Sequence, residues 1–353
     1  GCAEQSTAYH RFVLDLYWLA LHFLKGNALI PSSRWKERLE AGEKFLAAFA
    51  FGGATPSIGD SDDGCVVGPG LYPPRGRGKA LRRETRTFPE AGYTIIPIDK
   101  DGLLTFDHGP LGMPPLFNHG HADALSITLT KSGKPLLVDP GTYKYNQELE
   151  FRRYFKGTRA HNTVTIDGED QAVQETSFIW SKPYKARLEG ACKANGDTIF
   201  VASHSGYLRL KDPVVHRRLV MHFRKSNLLI KDCFEGRGIH SYELNFHIHP
   251  DGSVERRGAW WRISNGDVTI HVRLFSGGDF EVREGAESPI LGWYSPRYGV
   301  KVPSKVLNAI RRGFPKDTIF LTGICLDDPF CFESLLSGTL ERLSSVAATI
   351  RNS

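Results

Sequence analysis

The chain contains 353 residues, of which 41% are hydrophobic and 24% are charged, and its formal net charge is +6. This composition is typical of a globular protein, and the length exceeds that of one ordinary domain, so we expect two structural units. The longest apolar run, residues 12–24, contains Asp15 and His22, which argues against a membrane span.

Two amphipathic helices are predicted near the start of the chain. Across residues 6–25 apolar side chains recur at three- and four-residue spacing, and Ser6 or Thr7 can cap the first turn. A second helix is predicted from the serine pair at 32 and 33 to the glycine pair at 52 and 53. Two helices cannot form a core alone, so we expect them to pack on the rest of the chain or on further helices.

Residues 54–88 are predicted to connect two units. Glycine, proline, aspartate and arginine dominate this stretch, and its apolar residues have no regular spacing. Its acidic run, Asp60-Ser61-Asp62-Asp63-Gly64, lacks the later glutamate of a calcium-binding loop, and we interpret it as a solvated turn.

From about residue 90 the pattern changes to short β-branched and aromatic runs separated by turn signals. Strands are predicted at 93–98, 124–129, 136–139, 162–166, 198–202, 218–223, 228–233, 242–248, 268–275 and 318–325. Many strands without alternating helices predict an antiparallel β-sandwich. The predicted organisation is therefore a helical segment (1–53), a linker (54–88) and a β-sandwich domain (89–353).

The distribution of basic residues indicates which kinds of binding partner to expect. Basic residues cluster in Arg75–Arg86 and again within residues 152–159, without the interleaved aromatic residues of a nucleic-acid platform, so no nucleic-acid partner is predicted. A mildly basic chain suits a polyanionic ligand, although many proteins without one have this charge. The six cysteines are scattered without CxxC spacing and indicate neither a zinc-thiolate site nor a disulfide framework.

The segment 118–129, Asn-His-Gly-His-Ala-Asp-Ala-Leu-Ser-Ile-Thr-Leu, is the most informative for chemistry. On a strand, His119, His121 and Asp123 would share one face with the following apolar residues. Buried imidazoles and carboxylates need partners, because an unsatisfied buried polar group costs about 1–3 kcal/mol.

A metal ion is one such partner. His121, Asp139 and His161 form a two-histidine, one-aspartate set suited to zinc, and separate strands of one sheet could bring the three residues together. The alternative is three unrelated polar residues that the backbone satisfies. The His-x-His-x-Asp spacing at 119–123 also resembles a metallo-β-lactamase-type hydrolase signature, but Ala124 replaces its final histidine and the α/β alternation is absent.

Five ordered sequence blocks resemble the heparinase II/III-like polysaccharide lyases. They are Glu4-Gln5-Ser6-Thr7-Ala8-Tyr9-His10, Ile58 to Gly64, His119 to Ser126, Leu137 to Tyr143 and Ala160 to Gly168. The resemblance implies an N-terminal α/α toroid followed by antiparallel β-sheet layers. It also implies β-elimination on a uronate-containing polysaccharide such as a glycosaminoglycan, alginate or a bacterial exopolysaccharide.

The resemblance implies roles for particular residues. Tyr9 and His119 match the catalytic tyrosine and histidine, and Asn118 matches a substrate-contacting position. His121, Asp139 and His161 match the ligands of a structural metal, which we expect to be a divalent ion and most simply zinc. A tyrosine base would need nearby positive charge to lower its pKa, and the periodicity of the first helix also allows Tyr9 to be a core aromatic.

One departure concerns the start of the chain. The family supplies a carboxylate-neutralising Asn or His from a helix before the tyrosine block, whereas this chain begins eight residues before Tyr9 and without methionine, so we expect a processed chain or a fragment. The resemblance also implies a periplasmic or secreted location. Two further functions stay open: a non-catalytic carbohydrate-binding or exopolysaccharide-assembly protein, and a metal-dependent hydrolase.

Overall fold

The computed structural model describes residues 3–50, 55–64, 66, 83–194 and 196–352. Its four α-helices are α1 (Thr7–Gly26), α2 (Ser33–Phe49), α3 (Leu149–Lys156) and α4 (Phe330–Asn352). Short 3-10 helices span Thr158–Ala160, Gly206–Arg209 and Pro315–Asp317. None of the described helices combines the length and the apolarity that a bilayer crossing requires.

The two predicted N-terminal helices are confirmed. Ser6 caps α1, since its hydroxyl accepts a hydrogen bond from the Tyr9 amide. The predicted end of the second helix, at residues 52 and 53, lies outside the described residues, and α2 itself ends at Phe49. Phe45 and Phe49 of α2 pack edge-on against Tyr93, so this helix is held on a β-sheet as expected.

The remaining elements are short strands. In chain order they are β1 (Arg86–Phe88), β2 (Tyr93–Ile98), β3 (Gly102–Asp107), β4 (Ile127–Lys131), β5 (Lys134–Leu137), β6 (Val164–Ile166), β7 (Val173–Gln174), β8 (Trp180–Ser181), β9 (Ala186–Ala194), β10 (Asp197–His204), β11 (Val214–Phe223), β12 (Asn227–Gly236), β13 (His240–His247), β14 (Ser253–Arg257), β15 (Trp260–Asn265), β16 (Val268–Leu274), β17 (Glu281–Glu284), β18 (Ala286–Glu287), β19 (Ile290–Leu291), β20 (Trp293–Arg297), β21 (Val300–Pro303), β22 (Lys305–Gly313) and β23 (Ile319–Cys325). All ten predicted strands overlap one of these.

Three sheets form the body of the β region, and every pairing within the described strands is antiparallel, as predicted. One sheet has the order β1-β2-β3-β4-β5, a second has β17-β22-β13-β6, and an eight-stranded sheet has β14-β15-β16-β23-β12-β11-β10-β9. A bridge between Leu137 and Ile248 links the first two sheets.

Apolar side chains of these three sheets meet in one buried core. Leu104 of β3, Val220 of β11 and Phe246 of β13 are fully buried members of it. The opposite face of the eight-stranded sheet packs against α4, where Phe332 meets Phe223 with ring centroids 5.4 Å apart. The sheets therefore form a layered β-structure, while the predicted boundaries at residues 53 and 88 stay predictions.

The predicted strand at 124–129 is wrong in its first half, and with it the expectation that His119, His121 and Asp123 share a strand face. β4 begins only at Ile127, and residues 118–126 are irregular. His119 has φ +69° and Leu125 has φ +65°, and a strand cannot continue through left-handed residues. This irregular segment is the site loop.

Candidate active site

The start of α1 positions Tyr9 at the site. The Ser6 hydroxyl accepts from the Tyr9 amide at 3.0 Å and donates to the carbonyl oxygen of Asp60 at 2.6 Å. The first turn of the helix is thereby tied to the segment that follows α2. Tyr9 is half-buried, and its ring lies against the imidazole of His119 with centroids 4.2 Å apart.

The site loop meets the same segment from the other side. The amide of Asp60 donates to the carbonyl oxygen of His119 at 2.9 Å. The His119 side chain is 17% exposed, so its ring is mostly covered and still reaches the surface. Asn118, immediately before it, is also partly exposed.

Asp60 is the centre of the hydrogen-bond network. Its carboxylate accepts two hydrogen bonds from the guanidinium group of Arg152, at 2.5 and 2.9 Å. The same carboxylate lies 3.0 Å from Nε2 of His121 and 3.3 Å from Nδ1 of His119. One buried carboxylate thus orients both histidines of the site loop.

The interpretation of the acidic run as a solvated turn is wrong for Asp60, which is 0% exposed. Burial alone would raise the pKa of Asp60. Hydrogen bonds from His119 and His121 and the positive charge of Arg152 outweigh it and hold that pKa well below its usual range. Asp60 is therefore ionised at neutral pH.

The hydroxyl of Tyr9 faces polar neighbours. It lies 3.0 Å from the hydroxyl of Tyr145 and 3.5 Å from Oδ2 of Asp62. Burial raises the pKa of Tyr9, and the carboxylates of Asp62 and Asp60 raise it further. A tyrosine base would need a nearby positive charge to lower its pKa. Among the described residues, the charged groups that act on this hydroxyl are two carboxylates, so Tyr9 is protonated at neutral pH.

Aromatic side chains extend the site beyond Tyr9. The ring of Tyr145 lies 5.3 Å from Phe178 and 5.2 Å from Tyr298, and Phe178 meets His119 edge-on at 6.2 Å. The guanidinium group of Arg152 lies 5.3 Å from the Tyr145 ring and 5.6 Å from the Phe178 ring. The rings of Tyr145, Phe178 and Tyr298 form a partly exposed aromatic rim beside Tyr9 and His119.

Part of the second basic cluster is structural. Arg152 and Lys156, one turn apart on α3, are 1% and 0% exposed. They donate to the carbonyl oxygens of Ser177 (2.9 Å) and Thr176 (2.8 Å), and so hold the turn that carries Phe178. Burial, with the charge of Arg152 nearby, lowers the pKa of Lys156 to about 7.

His121, Asp139 and His161 converge as the sequence predicted. One potential ligand atom from each lies within 4.8 Å of the other two, and all three residues are buried. Nδ1 of His121 and Nε2 of His161 are buried, and neither has a hydrogen-bond partner in the part of the chain that the structure describes. Nδ1 of His161 lies 2.8 Å from Oδ2 of Asp139. Two orphaned imidazole nitrogens beside a carboxylate are a donor set that fits a zinc-type ion.

Asn162 joins the elements that carry this cluster. Its side-chain amide donates to the carbonyl oxygens of Ile127 (2.6 Å) and Val138 (2.9 Å), and its Oδ1 accepts from the amide of His247 at 2.6 Å. Asn162, which directly follows His161, thus connects three elements: β4, the residue after β5, and β13. His161 itself precedes β6, so strand parity does not decide where its ring points.

The structure brings together all six residues that the sequence singled out, although their roles stay predictions. Asp60, Arg152 and Tyr145 were missed as site residues. Asp60 lies within a block that resembles the family, and Arg152 lies in a basic cluster, so each had a sequence signal. Nothing in its sequence neighbourhood distinguished Tyr145.

Comparisons with known proteins bear on the family and the fold of the chain. Residues 80–323 match the family model described as heparinase II/III-like, C-terminal. No curated protein matches the chain. Solved structures with a similar fold include a heparinase III gene product (TM-score 0.71, 17% identity, 92% of this chain and 52% of that one). A second is heparan sulfate lyase HepC from Pedobacter heparinus (TM-score 0.69, 17% identity, 91% of this chain and 52% of that one). A third is heparinase III (TM-score 0.70, 15% identity, 92% of this chain and 54% of that one).

At these identities the structural likeness establishes the fold. The chain spans about half the length of the solved structures it matches.

Proposed function

The chain belongs to the heparinase II/III-like family, which confirms the resemblance seen in its sequence, and from this premise we propose that it is a polysaccharide lyase acting on a uronate-containing polymer. The observation that carries the proposal is the contact of the Tyr9 ring with the tilted His119 ring, whose centroids are 4.2 Å apart, with the ionised Asp60 hydrogen-bonded to His119. Acid and base groups of these types are what β-elimination requires.

The proposed reaction breaks the C5–H and C4–O bonds of a uronate residue. A base takes the proton α to the carboxylate, the electron pair forms the C4–C5 double bond, and the 4-linked oxygen leaves with a proton from an acid. A donor near the substrate carboxylate stabilises the charge that develops there.

His119 is the proposed base. With Nδ1 hydrogen-bonded to the carboxylate of Asp60, 3.3 Å away, the ring carries its proton on Nδ1 and offers Nε2 as the acceptor. The Asp60 charge also stabilises the imidazolium that forms after proton transfer.

Tyr9 is the proposed acid. Its raised pKa keeps the hydroxyl protonated at neutral pH, as donation to the leaving oxygen requires. For the uronate epimer whose proton lies on the Tyr9 side, the same hydroxyl would serve as both base and acid once substrate binding has lowered its pKa.

Asn118 is the proposed substrate contact. It precedes His119 and is partly exposed, so its amide can donate to the carboxylate or a hydroxyl of the bound sugar. The aromatic rim of Tyr145, Phe178 and Tyr298 supports a sugar site on this side.

A structural divalent metal, zinc in the simplest case, is proposed at His121, Asp139 and His161. The orphaned nitrogens of the two histidines support it, since a buried imidazole normally has partners on both nitrogens. When bound, the ion would hold the site loop against the segment that precedes β6. The elimination chemistry proposed for Tyr9 and His119 does not pass through it.

The two N-terminal helices are proposed to belong to a larger helical layer of the α/α-toroid type. Apolar residues of α1 together with Trp35 of α2 line an open groove, and Phe23 is 66% exposed. An apolar helix face of this kind normally packs against another element. A periplasmic or secreted location, where such polymers are met, also stays a proposal.

The experiment is the ultraviolet absorbance of the unsaturated uronate product, recorded with heparan sulfate, alginate and other uronans. We expect the full-length wild-type protein to raise the absorbance on one polymer class, and Tyr9→Phe and His119→Ala in that protein to slow the rise about 10²- to 10⁴-fold. Tyr17→Phe, a 50% exposed tyrosine of the same helix, is the matched control and should retain the wild-type rate.

A flat trace on every uronan, with polysaccharide binding retained, would reject the lyase and favour the non-catalytic carbohydrate-binding alternative. Product release without unsaturation would instead point to a hydrolase.

A further inference from the structure

A second buried ion pair lies within the eight-stranded sheet. Arg218 of β11 and Asp232 of β12 are direct cross-strand partners, and both are 0% exposed. Nε of Arg218 donates to Oδ1 of Asp232 at 2.7 Å and Nη2 donates to Oδ2 at 3.0 Å. This fork leaves Nη1 of the guanidinium group for other acceptors.

Nη1 of Arg218 reaches two backbone carbonyls of the candidate active site. It donates to the carbonyl oxygen of Leu125 at 2.7 Å and to that of Asn162 at 2.6 Å. Leu125 lies near the end of the site loop that carries His119 and His121, and Asn162 directly follows His161. One guanidinium group therefore joins both site segments to the central sheet.

A chain of histidines completes the surroundings of Asp232. The Gly206 amide donates to Nδ1 of His204, whose Nε2 lies 3.2 Å from Nδ1 of His216. Nε2 of His216 in turn lies 2.7 Å from Oδ1 of Asp232. These contacts are satisfied when both rings are neutral and carry the proton on Nε2. Arg218 and Asp232 are then one balanced pair of charges.

We propose that Arg218 is a positioning residue of the active site, which sets the site loop against the segment carrying His161. The planar fork and the extra donors of arginine serve the carboxylate and both carbonyls at once, which a lysine ammonium cannot do from one position. The rings of His121 and His161, 5.3 Å apart, belong to the two segments that Arg218 joins.

The neighbouring arginine provides a matched control. Arg217 lies on the same strand and pairs with Glu189 at 2.7 Å and with Glu235, so it too is an arginine in an ion pair. Its side chain points to the opposite face of the sheet and has no hydrogen bond to residues 118–126 or 161–162 among the described contacts. Arg217→Lys therefore changes an ion pair without touching the site segments.

The first measurement is hydrogen exchange of the peptides 118–127 and 158–166 in Arg218→Lys and Arg217→Lys. We expect exchange about tenfold faster in both peptides for Arg218→Lys, because the local opening of these segments becomes easier, and no change for Arg217→Lys. If Arg218→Lys does not fold, the double variant Arg218→Met with Asp232→Asn replaces it, since it removes both charges of the buried pair together with the two contacts of Arg218 to Leu125 and Asn162.

The second measurement rests on the proposed lyase function. On the polymer that the wild type cleaves, we expect kcat of Arg218→Lys to fall about 100-fold, as for a misplacement of about 1 Å, while KM stays within about twofold. Arg217→Lys should keep both constants. Equal exchange in the two variants would overturn the positioning role whether or not the chain is a lyase, and an inactive wild type would affect the lyase proposal alone.

Discussion

Replacing Asp60 with asparagine keeps the size of the side chain and removes the charge on which the site is built. Arg152 would keep its positive charge at 1% exposure, without the carboxylate that it now contacts at 2.5 and 2.9 Å. Removing one partner of a buried ion pair costs about 3–5 kcal/mol, because the other charge stays uncompensated. This is a large part of the roughly 5–15 kcal/mol that stabilises a typical protein.

Asp60→Asn should also remove activity beyond its effect on folding. An amide in place of the carboxylate can donate to Nδ1 of His119, which moves the imidazole proton to Nε2 and removes the proposed base. The same exchange in a Ser-His-Asp triad lowers kcat about 10⁴-fold. We therefore expect loss of activity in the fraction of Asp60→Asn that remains folded.

Urea unfolding of four chains tests the stability argument. They are the wild type, Asp60→Asn, the double variant Asp60→Asn with Arg152→Met, and Glu281→Gln, which breaks an exposed ion pair with Arg283. The control should change stability by less than about 1 kcal/mol. The double variant should be more stable than Asp60→Asn, since the stranded charge is gone. If Asp60→Asn is no less stable than the control, the reasoning on Asp60 is refuted.

The same residue predicts the acid end of the stability curve. The folded-state pKa of Asp60 is depressed, so its contribution is fully present above the unfolded value of about 3.9 and is lost as the pH falls towards the folded value. Below about pH 4 the unfolded state binds a proton that the folded state does not, and stability falls by up to about 1.36 kcal/mol per pH unit. Asp60→Asn should lack this component in unfolding curves recorded between about pH 4.5 and 2.5.

Three further predictions concern neighbouring groups. Tyr145→Phe removes the hydroxyl 3.0 Å from that of Tyr9 and should lower kcat about tenfold, the equivalent of one hydrogen bond; an unchanged rate would exclude Tyr145 from the mechanism. His161→Ala should abolish the binding of about one zinc per chain measured by elemental analysis, whereas a wild type that binds none would end the metal proposal. The lowered pKa of Lys156, about 7, means that the unfolded state holds the additional proton up to about pH 10, so stability should rise with pH between these values. Unfolding curves of Lys156→Met should lack this rise, and those of the exposed-residue control Lys100→Met should keep it.

Much of the fold could be predicted because the apolar residues of its helices and strands recur at regular spacings along the chain. The cap at Ser6 and the spacing of apolar residues in α1 depend only on nearby residues, and β2 at Tyr93–Ile98 was predicted with its bounds. Alternation and turn residues likewise mark β10 to β13. Each of these elements buries one face in the core, so that its pattern reports burial directly.

The site loop shows where local reasoning fails. An alternating pattern at 119–123 predicted a strand, but left-handed backbone at His119 and Leu125 breaks it. His119 and His121 still share Asp60 as a partner, because the Asp60 amide donates a hydrogen bond to the carbonyl oxygen of His119 and so holds Asp60 against the loop. Periodicity carries no information about an irregular segment, whose side chains are directed by contacts from elsewhere in the chain.

By itself the sequence determined the two N-terminal helices, the antiparallel class, the family and the six residues singled out as candidates for the site. Only the tertiary structure decided that Asp60 is buried and paired with Arg152, which is 92 residues away along the chain. It alone also decided that Arg218 contacts Leu125, which is 93 residues away. The physical reason is that an aspartate in a polar run or an arginine in a strand has the same local signature whether it is solvated or buried. The oppositely charged partner that offsets the free-energy cost of burying the side chain is brought to it only when the sheets pack around the core.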